Sequence, residues 1–564
     1  MATTPLRDGA SKALTEVDFC MGDSIETPVL IAGGGPVGMT LALNLARYGV
    51  PSMLVERNQA TTRHPKMDLT NARSMELFKR LGIAEKLRDA GVPRANAFDI
   101  SWVTNLVGHE LHRFHYPSAD DKRAIIRAEN TGAHASEPPL RVSQVEIEPV
   151  LKEAVDASPL ITVRFGTTFE RIVTQDDDGV TAEVSDSASG ETELVRCQYL
   201  AGCDGGGSRV RRALGIELDG EMAVAGAHMV HFRTDARDLL QRWGPVYHLQ
   251  TGGGTIIAQN DHDIYTLQAW LIPGLGIEDM RPEDVLEGWV GTKFDYEILQ
   301  ANPWTANFVV AQHYRKGRAL LAGDSAHQFI PTGGYGMNSG IADAAALSWV
   351  LAACIQGWGG DTLLDAYEAE RLPTAWWHLE AARRHMDVRL AIGEVYAEAG
   401  DLTGEGPEAD ARRAEAGRKI AALGNAENES WGVEFGYRYD QSPVVCTEPN
   451  PPAIDPLTYH PTTWPGARLP HIFLADGSSL HDKLGLWFTL VALTDVDSGA
   501  IEKAAADLGI PLTIARLDRP DLRGLYERDL LLVRPDQHVA WRGDTLPDDL
   551  EALLRHVTGR DAAT

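Results

Sequence analysis

Gly33, Gly35 and Gly38, followed by Glu56, are the first residues in this chain whose types and spacing could do chemistry. An apolar run, Val29–Ala32, enters the turn Gly33-Gly34-Gly35-Pro36-Val37-Gly38; a helix-period stretch and a second apolar run, Ser52–Glu56, follow. In such a GxGxxG turn the first glycine makes the tight bend, the second lets backbone approach a pyrophosphate, and the third lets the helix pack closely. Glu56 ends the second strand, where a ribose hydroxyl would need an acceptor. GxGxxG alone is a weak signal; placed between strand and helix with an acid at the next strand end, it indicates a dinucleotide site.

Two further segments have the same grammar. Ala319–Ala322 is an apolar strand running into Gly323-Asp324, a turn rich in Gly and Pro, and an Ala-rich helix from about Asn338. A helix start there offers unpaired N–H groups beside glycines that admit close backbone approach. Tyr199–Gly202 is another apolar strand, ending at Asp204-Gly205 and followed by a basic helical turn that contains Arg209.

Together the three motifs resemble those of the group A flavoprotein aromatic hydroxylases, the phenol hydroxylase and p-hydroxybenzoate hydroxylase family, over about residues 27–559. The resemblance implies an α/β fold: an FAD-binding Rossmann-like domain of the p-hydroxybenzoate hydroxylase type, an antiparallel-sheet substrate domain and a C-terminal thioredoxin-like domain. It places Gly33, Gly35, Pro36, Val37, Gly38 and Glu56 on the adenosine half of FAD, with Arg57 beside them. Arg141 and Gln144 match an Arg-x-x-Gln segment that holds the diphosphate and ribityl region. Asp324 matches the acceptor for a ribityl hydroxyl, and the backbone of Gly334, Gly336, Met337 and Asn338 matches the amides facing the pyrimidine edge. Asp204 and Arg209 match a motif linked to both FAD and NAD(P)H; their other reading is a helix N-cap with a basic surface.

The activity so implied is monooxygenation: NAD(P)H reduces FAD, O₂ is taken up as a C4a-hydroperoxyflavin, and one oxygen goes to an electron-rich aromatic carbon. There is no second GxGxxG, so NAD(P)H is expected as a transient cosubstrate. Asp68, in the loop after the second strand, matches a pocket acid that could take a phenolic proton; its alternative is the N-cap of a helix from Asn71. Pro331 matches the position whose carbonyl faces the substrate hydroxyl, although Ile330 departs from the Pro common before it. Two other readings stay open: a related flavin epoxidase or Baeyer–Villiger-type monooxygenase, and a non-catalytic binding protein like the Rab GDP-dissociation inhibitors.

The elements that must position these residues follow from composition and periodicity. The chain has 564 residues, enough for two or three cores, with 44% hydrophobic and 23% charged residues. A net charge of −28 disfavours nucleic acid. No run approaches the ~20 apolar residues of a membrane span, and residues 1–26 read as a polar extension without a signal-peptide core. Five cysteines show no CxxC or metal spacing, which fits a cytoplasmic protein, and His112 and His115 lack a third ligand nearby.

The motif positions make the FAD domain discontinuous (27–100, 138–220 and 312–400), with the substrate domain inserted as 101–137 and 221–311. A helical stretch from about Pro373 to Gly424 passes into a Pro-rich connector (401–461). Residues 462–564 read as β-α-β and a hairpin turning at Asp536-Gln537; this thioredoxin-like unit has no Cys, so its expected role is structural or in a homodimer. In the substrate sheet, strand parity gives His248, Gln250, Asn260 and Thr266 as a facing set, His248 being a candidate contact for a phenolic oxygen. No Arg or Lys occurs from Val246 to Pro273, so a phenolic or polyketide-like aromatic without a carboxylate is the expected substrate.

Overall fold

The computed structural model describes residues 24–270 and 280–560, so most of the expected N-terminal extension lies outside the described residues. The first sheet begins at Ile25, inside the span assigned to that extension. Its parallel centre runs Ala319–Leu321, Thr192–Gly202, Ile25–Ala32, Ser52–Glu56 and Ile161–Phe165. Val29–Ala32 and Ala319–Leu321 are buried throughout, as strands covered on both faces must be. The helices Pro36–Arg47 and Tyr335–Ile355 cover one region of this sheet, and their contact depends on missing side chains. A Cβ on Gly38 would lie 2.0 Å from the Gly33 carbonyl oxygen, and one on Gly340 would lie 2.5 Å from Val37. Among the described residues Tyr335–Ile355 is long and apolar enough to cross a membrane, but it is mostly buried in the core.

The second sheet has eight strands and takes segments from two parts of the chain: Ile100–Val103 and Glu110–Phe114, then Leu218–Arg233, His248–Thr251, Gly254–Ala258, Ile264–Trp270 and Glu297–Ala311, closed by His327–Gln328. It was expected to be antiparallel. One pairing is parallel, His248–Thr251 with Ile100–Val103, because those strands come from separate segments rather than from a hairpin. One face packs on Val230, Phe232, Leu249, Leu267 and Val290. The other looks toward the first sheet and the glycine turns.

The helical stretch after the flavin segments is two helices, Thr362–Ala399 and Pro407–Leu423, and Pro373 lies inside the first instead of opening it. The residues just before the proline are pinned on both sides. Arg371 Nε donates to Asp343 Oδ1 at 2.7 Å, and Glu370 accepts two bonds from Arg534 at 2.5 and 2.7 Å. Such anchoring compensates for the lost N–H.

The last sheet has the order Leu512–Arg516, Phe488–Ala492, Leu530–Val533, Val539–Gly543, parallel in the first pair and antiparallel in the others. Its hairpin turns at Asp536-Gln537 as the sequence suggests, but the turn is buried rather than exposed. Arg73, on the helix Ala72–Arg80, donates to the Asp536 carbonyl at 2.7 Å and to Gln537 Oε1. Glu76, one turn further on, accepts from Arg468 Nε at 2.9 Å and also from its NH2. All of these side chains are under 10% exposed, so the C-terminal unit is held by a buried ionic seam.

Candidate active site

The glycine turn, Glu56, Gln144, Asp204 and the start of the Tyr335–Ile355 helix line one cleft of about 420 Å³. Local geometry explains each glycine. Gly33 has φ +112°, and a Cβ there would lie 2.2 Å from the Cys203 carbonyl oxygen, so the first and third motifs meet through it. A Cβ on Gly35 would meet nothing within 4 Å, because that position faces the cleft. Glu56 is fixed at the strand end: Oε2 accepts from Gly34 N–H at 2.8 Å and Oε1 from Asn58 N–H at 2.9 Å. Arg57, Pro36 and Val37 also line the cleft.

Asp324 sits in the short 3-10 turn Gly323–Ser325, exposed to the cleft, and no described residue hydrogen-bonds its carboxylate. Gly334, with φ +66°, starts the next helix, and Gly336 and Met337 in its first turn line the cleft. Their N–H groups have no acceptor four residues back within the helix. An open strand-helix turn, an unpartnered carboxylate and orphan amides fit a dinucleotide with a polyhydroxyl chain.

Several side chains expected on the cofactor are committed elsewhere. Arg141 is buried and gives its guanidinium to Asp261, at 2.7 and 2.9 Å, and to the carbonyls of Ala97 and Ala258; it ties the short Leu69–Thr70/Leu140–Arg141 ribbon to the second sheet instead of reaching into the cleft. Asn338, expected at the ring edge through its backbone, uses its side chain in the wall, bonding the Leu69 and Gly334 carbonyls and accepting from Asn71 N–H. Asp204 accepts from Arg209 N–H at 2.6 Å, Val210 N–H at 3.1 Å and the Ser208 hydroxyl, so its side chain is spent on the first turn of the following helix, whose N-cap is Ser208. The Arg209 side chain pairs with Glu170. Gln144 lines the cleft and donates to Glu148, whose carboxyl burial pushes up.

Beyond Asp68 and Pro331 the cleft continues into a second cavity of about 380 Å³, between the helix starts and the polar face of the second sheet. Leu69, Tyr247, Trp270, Trp304 and Phe329 give it aromatic and apolar walls. Asp68 stands at the junction. It is not a helix N-cap, because Asn71 has that role, accepting from Ser74 N–H at 2.8 Å. The Tyr247 hydroxyl donates to Asp68 Oδ2, and His248 Nε2 lies 3.5 Å from the same oxygen, close enough for charge interaction but outside hydrogen-bond geometry. Burial, and then the Asp68 charge, raise the Tyr247 hydroxyl far above its usual range, so it stays a donor.

The facing set is half right. His248 lines the cavity, stacked on Tyr247 at 3.8 Å. Gln250 shares its face but is buried behind it, with its amide 3.3 Å from His248 Nδ1. Thr266 is deeper still, bonded to His231 and Gln259. Asn260 is no wall residue at all: its Oδ1 accepts from the N–H groups of His262, Asp263 and Ile264 and builds the turn before the next strand. Pro331 borders both spaces, but its carbonyl already accepts from Gly334 N–H at 3.0 Å.

Sequence reasoning missed a half-buried cation. Arg389, from the long helix, reaches the cavity wall and donates to Glu427 at 2.7 and 2.9 Å and to Thr255 Oγ1 at 2.9 Å. Burial pushes the Glu427 carboxyl up, but Arg389 outweighs this and holds it below its ordinary range, so the pair is charged and internally neutralised. No local pattern marks either residue. Their pairing is visible only when the helix is laid across the sheet.

Family models match this geometry along the chain. An FAD binding domain model covers residues 26–382, and an aromatic-ring hydroxylase C-terminal model covers residues 462–561. The FAD-dependent monooxygenase apdD of Emericella nidulans is 36% identical across 95% of this chain and 90% of its own length. Among solved structures, RebC with bound 7-carboxy-K252c superposes with a TM-score of 0.86 at 34% identity, covering 95% of this chain and all of RebC. The flavin-dependent monooxygenase PieE in complex with FAD and substrate superposes at 0.85, with 30% identity over 96% of this chain and all of PieE.

Proposed function

Because the chain belongs to the family of FAD-dependent aromatic-ring hydroxylases, we propose that it hydroxylates a phenol of more than one ring, with Asp68 receiving the phenolic proton. The chain is an FAD-dependent monooxygenase acting on aromatic compounds, with NAD(P)H as reductant. Bound FAD, reduced by NAD(P)H, supplies the activation of O₂, placing one oxygen atom on the ring and releasing the other as water. The glycine turn and Glu56 would hold its adenosine half, Gln144 and Asp324 its middle, and the amides of Gly336 and Met337 its ring edge. The side chains of Arg141 and Asn338 fix the walls from behind.

The observation that carries the reading is the position of Asp68 at the meeting of cleft and cavity. Tyr247 occupies Oδ2 as a donor, which leaves Oδ1 to accept from a substrate hydroxyl. Drawing the proton toward Asp68 raises electron density on the ring, which is what attack on an electrophilic oxygen requires. His248, stacked on Tyr247, keeps its Nε2 3.5 Å from Asp68 Oδ2, near enough to act on the carboxylate through charge but not through a hydrogen bond. The aromatic walls keep the space dry, which favours oxygen transfer over loss of hydrogen peroxide.

Size and charge narrow the substrate. A cavity of roughly 150 Å³ suffices for benzene, and this one is about 380 Å³. Its half-buried cation, Arg389, is already answered by Glu427, so a carboxylate would enter without a free partner there, Lys66 being exposed at the rim. The division into a discontinuous flavin unit, an inserted substrate unit and a C-terminal unit is supported by the separate sheets. Cytoplasmic location is supported by described cysteines that form no disulfide.

The test is NAD(P)H oxidation by the flavin-loaded enzyme with phenol, 4-phenylphenol and p-hydroxybenzoate, checking product mass for one added oxygen. The expected order places 4-phenylphenol first and p-hydroxybenzoate last. Stimulation that yields only hydrogen peroxide from every phenol would overturn the reading.

A further inference from the structure

A chamber of about 220 Å³ lies behind the substrate cavity and shares Leu69, Tyr247, Gly333, Glu427 and Asn428 with it. Its other walls bring the rings of Phe98, Tyr116, Tyr335 and Trp431 around one space. Rings arranged this way suit a flat aromatic guest, which gains from stacking and edge contacts beyond simple burial.

Besides Glu427, which Arg389 pairs, two charged side chains line the same chamber, and neither has an ion-pair partner among the described residues. Glu434 accepts from Arg73 N–H at 3.1 Å, but no described side chain hydrogen-bonds either of its oxygens. It takes the first-turn amides of Ala72 and Arg73 in the helix that Asn71 caps through Ser74 N–H, and no cation stands within ion-pair distance of it among the described residues. The Lys122 ammonium lies 4.9 Å from the centre of the Trp431 ring, with His134 Nδ1 at 3.5 Å, and no described carboxylate is within ion-pair distance. Burial pushes the Glu434 carboxyl up to about 7 and lowers the Lys122 ammonium, as expected for groups whose charge lacks a close partner. A few convergent polar groups in an aromatic chamber are the marks of a ligand site.

We propose that this chamber is a distal subsite for the substrate, receiving a second ring that carries a carbonyl acceptor for Lys122 and an N–H or O–H donor for Glu434. The inference rests on the phenol-hydroxylating reading and adds a substrate class: a phenol joined to a remote ring bearing an amide or hydroxy-carbonyl group. Tyr247 lines both spaces while its hydroxyl holds Asp68, so a guest in the chamber would lie against the residue that orients the base.

The test measures binding to the flavin-loaded enzyme by calorimetry for three probes: phenol, 4-phenylphenol and 4′-hydroxybiphenyl-4-carboxamide. The amide probe should bind the wild type most tightly. Lys122→Met should weaken the amide probe about tenfold, the order expected for losing a hydrogen bond to a charged group, and should leave phenol unchanged. Glu434→Gln, which keeps an acceptor for Arg73 N–H, should weaken the amide probe severalfold with phenol again unchanged. If phenol and 4-phenylphenol bind and are hydroxylated while the amide probe gains nothing, or loses nothing in either variant, the subsite is overturned and the phenol reading stands. If none of the probes binds or stimulates NAD(P)H oxidation, both fall.

Discussion

Asp68 and Asp324 are both acids in Gly- or Pro-containing loops, yet the structure separates their tasks. Asp324 faces the cofactor cleft without a partner, so Asp324→Ala should fold normally and lose about tenfold in FAD affinity, read as flavin retained per protein after gel filtration. Asp68→Ala should keep its flavin and still oxidise NAD(P)H, while formation of hydroxylated product falls about a hundredfold. Undiminished hydroxylation in that variant would remove Asp68 from the proton-accepting role. Both acids were singled out through the family motifs that their segments resemble, and the structure places both on the cleft. Arg141 and Asn260 were misjudged for the complementary reason: a motif gives a residue's position, but Asp261 and the strand turn decide where its side chain points. Arg389 could not be found at all, since its partners Thr255 and Glu427 lie far from it in the chain.

At the scale of elements, the glycine turn makes two distinguishable demands on one short segment. Gly38 lies under the Gly33 carbonyl, and an added methyl would meet it at 2.0 Å; Gly38→Ala must push the Pro36–Arg47 helix off the sheet. Its melting temperature should drop by several degrees, with flavin lost as a consequence. Gly35→Ala meets no protein atom within 4 Å, so its melting temperature without flavin should match the wild type while FAD binding weakens, because the methyl occupies the space the diphosphate needs. Equal melting losses in both variants would contradict this division. The strand-turn-helix unit was readable because periodicity and turn chemistry are local. The continuation of the helix ahead of Pro373 was not, since the contacts of Arg371 and Glu370 that sustain it come from distant elements.

Across the whole molecule, buried titratable groups tie stability to pH. Burial lowers His538 to about 4 and His378 to about 3, below the ordinary 6.5, so both are neutral in the folded protein at neutral pH. The unfolded chain takes up these protons first, and stability is therefore lost as pH falls below about 6.5. For Glu76, burial alone would raise the carboxyl, but Arg468 and its neighbours hold it well below 4.5, adding a second loss below that value. Thermal midpoints should thus decline from pH 7 to 5; a flat profile over that range would refute the assignment. Removing one partner of the seam, in Arg468→Met, should cost about 3–5 kcal/mol, measured by denaturant unfolding. The three sheets could be anticipated from their strand patterns, whereas the seam joins residues as distant as Glu76 and Arg468 and left no local trace. It also bears on how such chains can be recombined. The buried hairpin turn grips Arg73, four residues after the loop that presents Asp68 and Leu69 to the substrate. A chimaera that imports the last hundred or so residues from a relative would therefore inherit a mismatched grip on its own catalytic loop, unless Arg73 and Glu76 are transplanted with the graft.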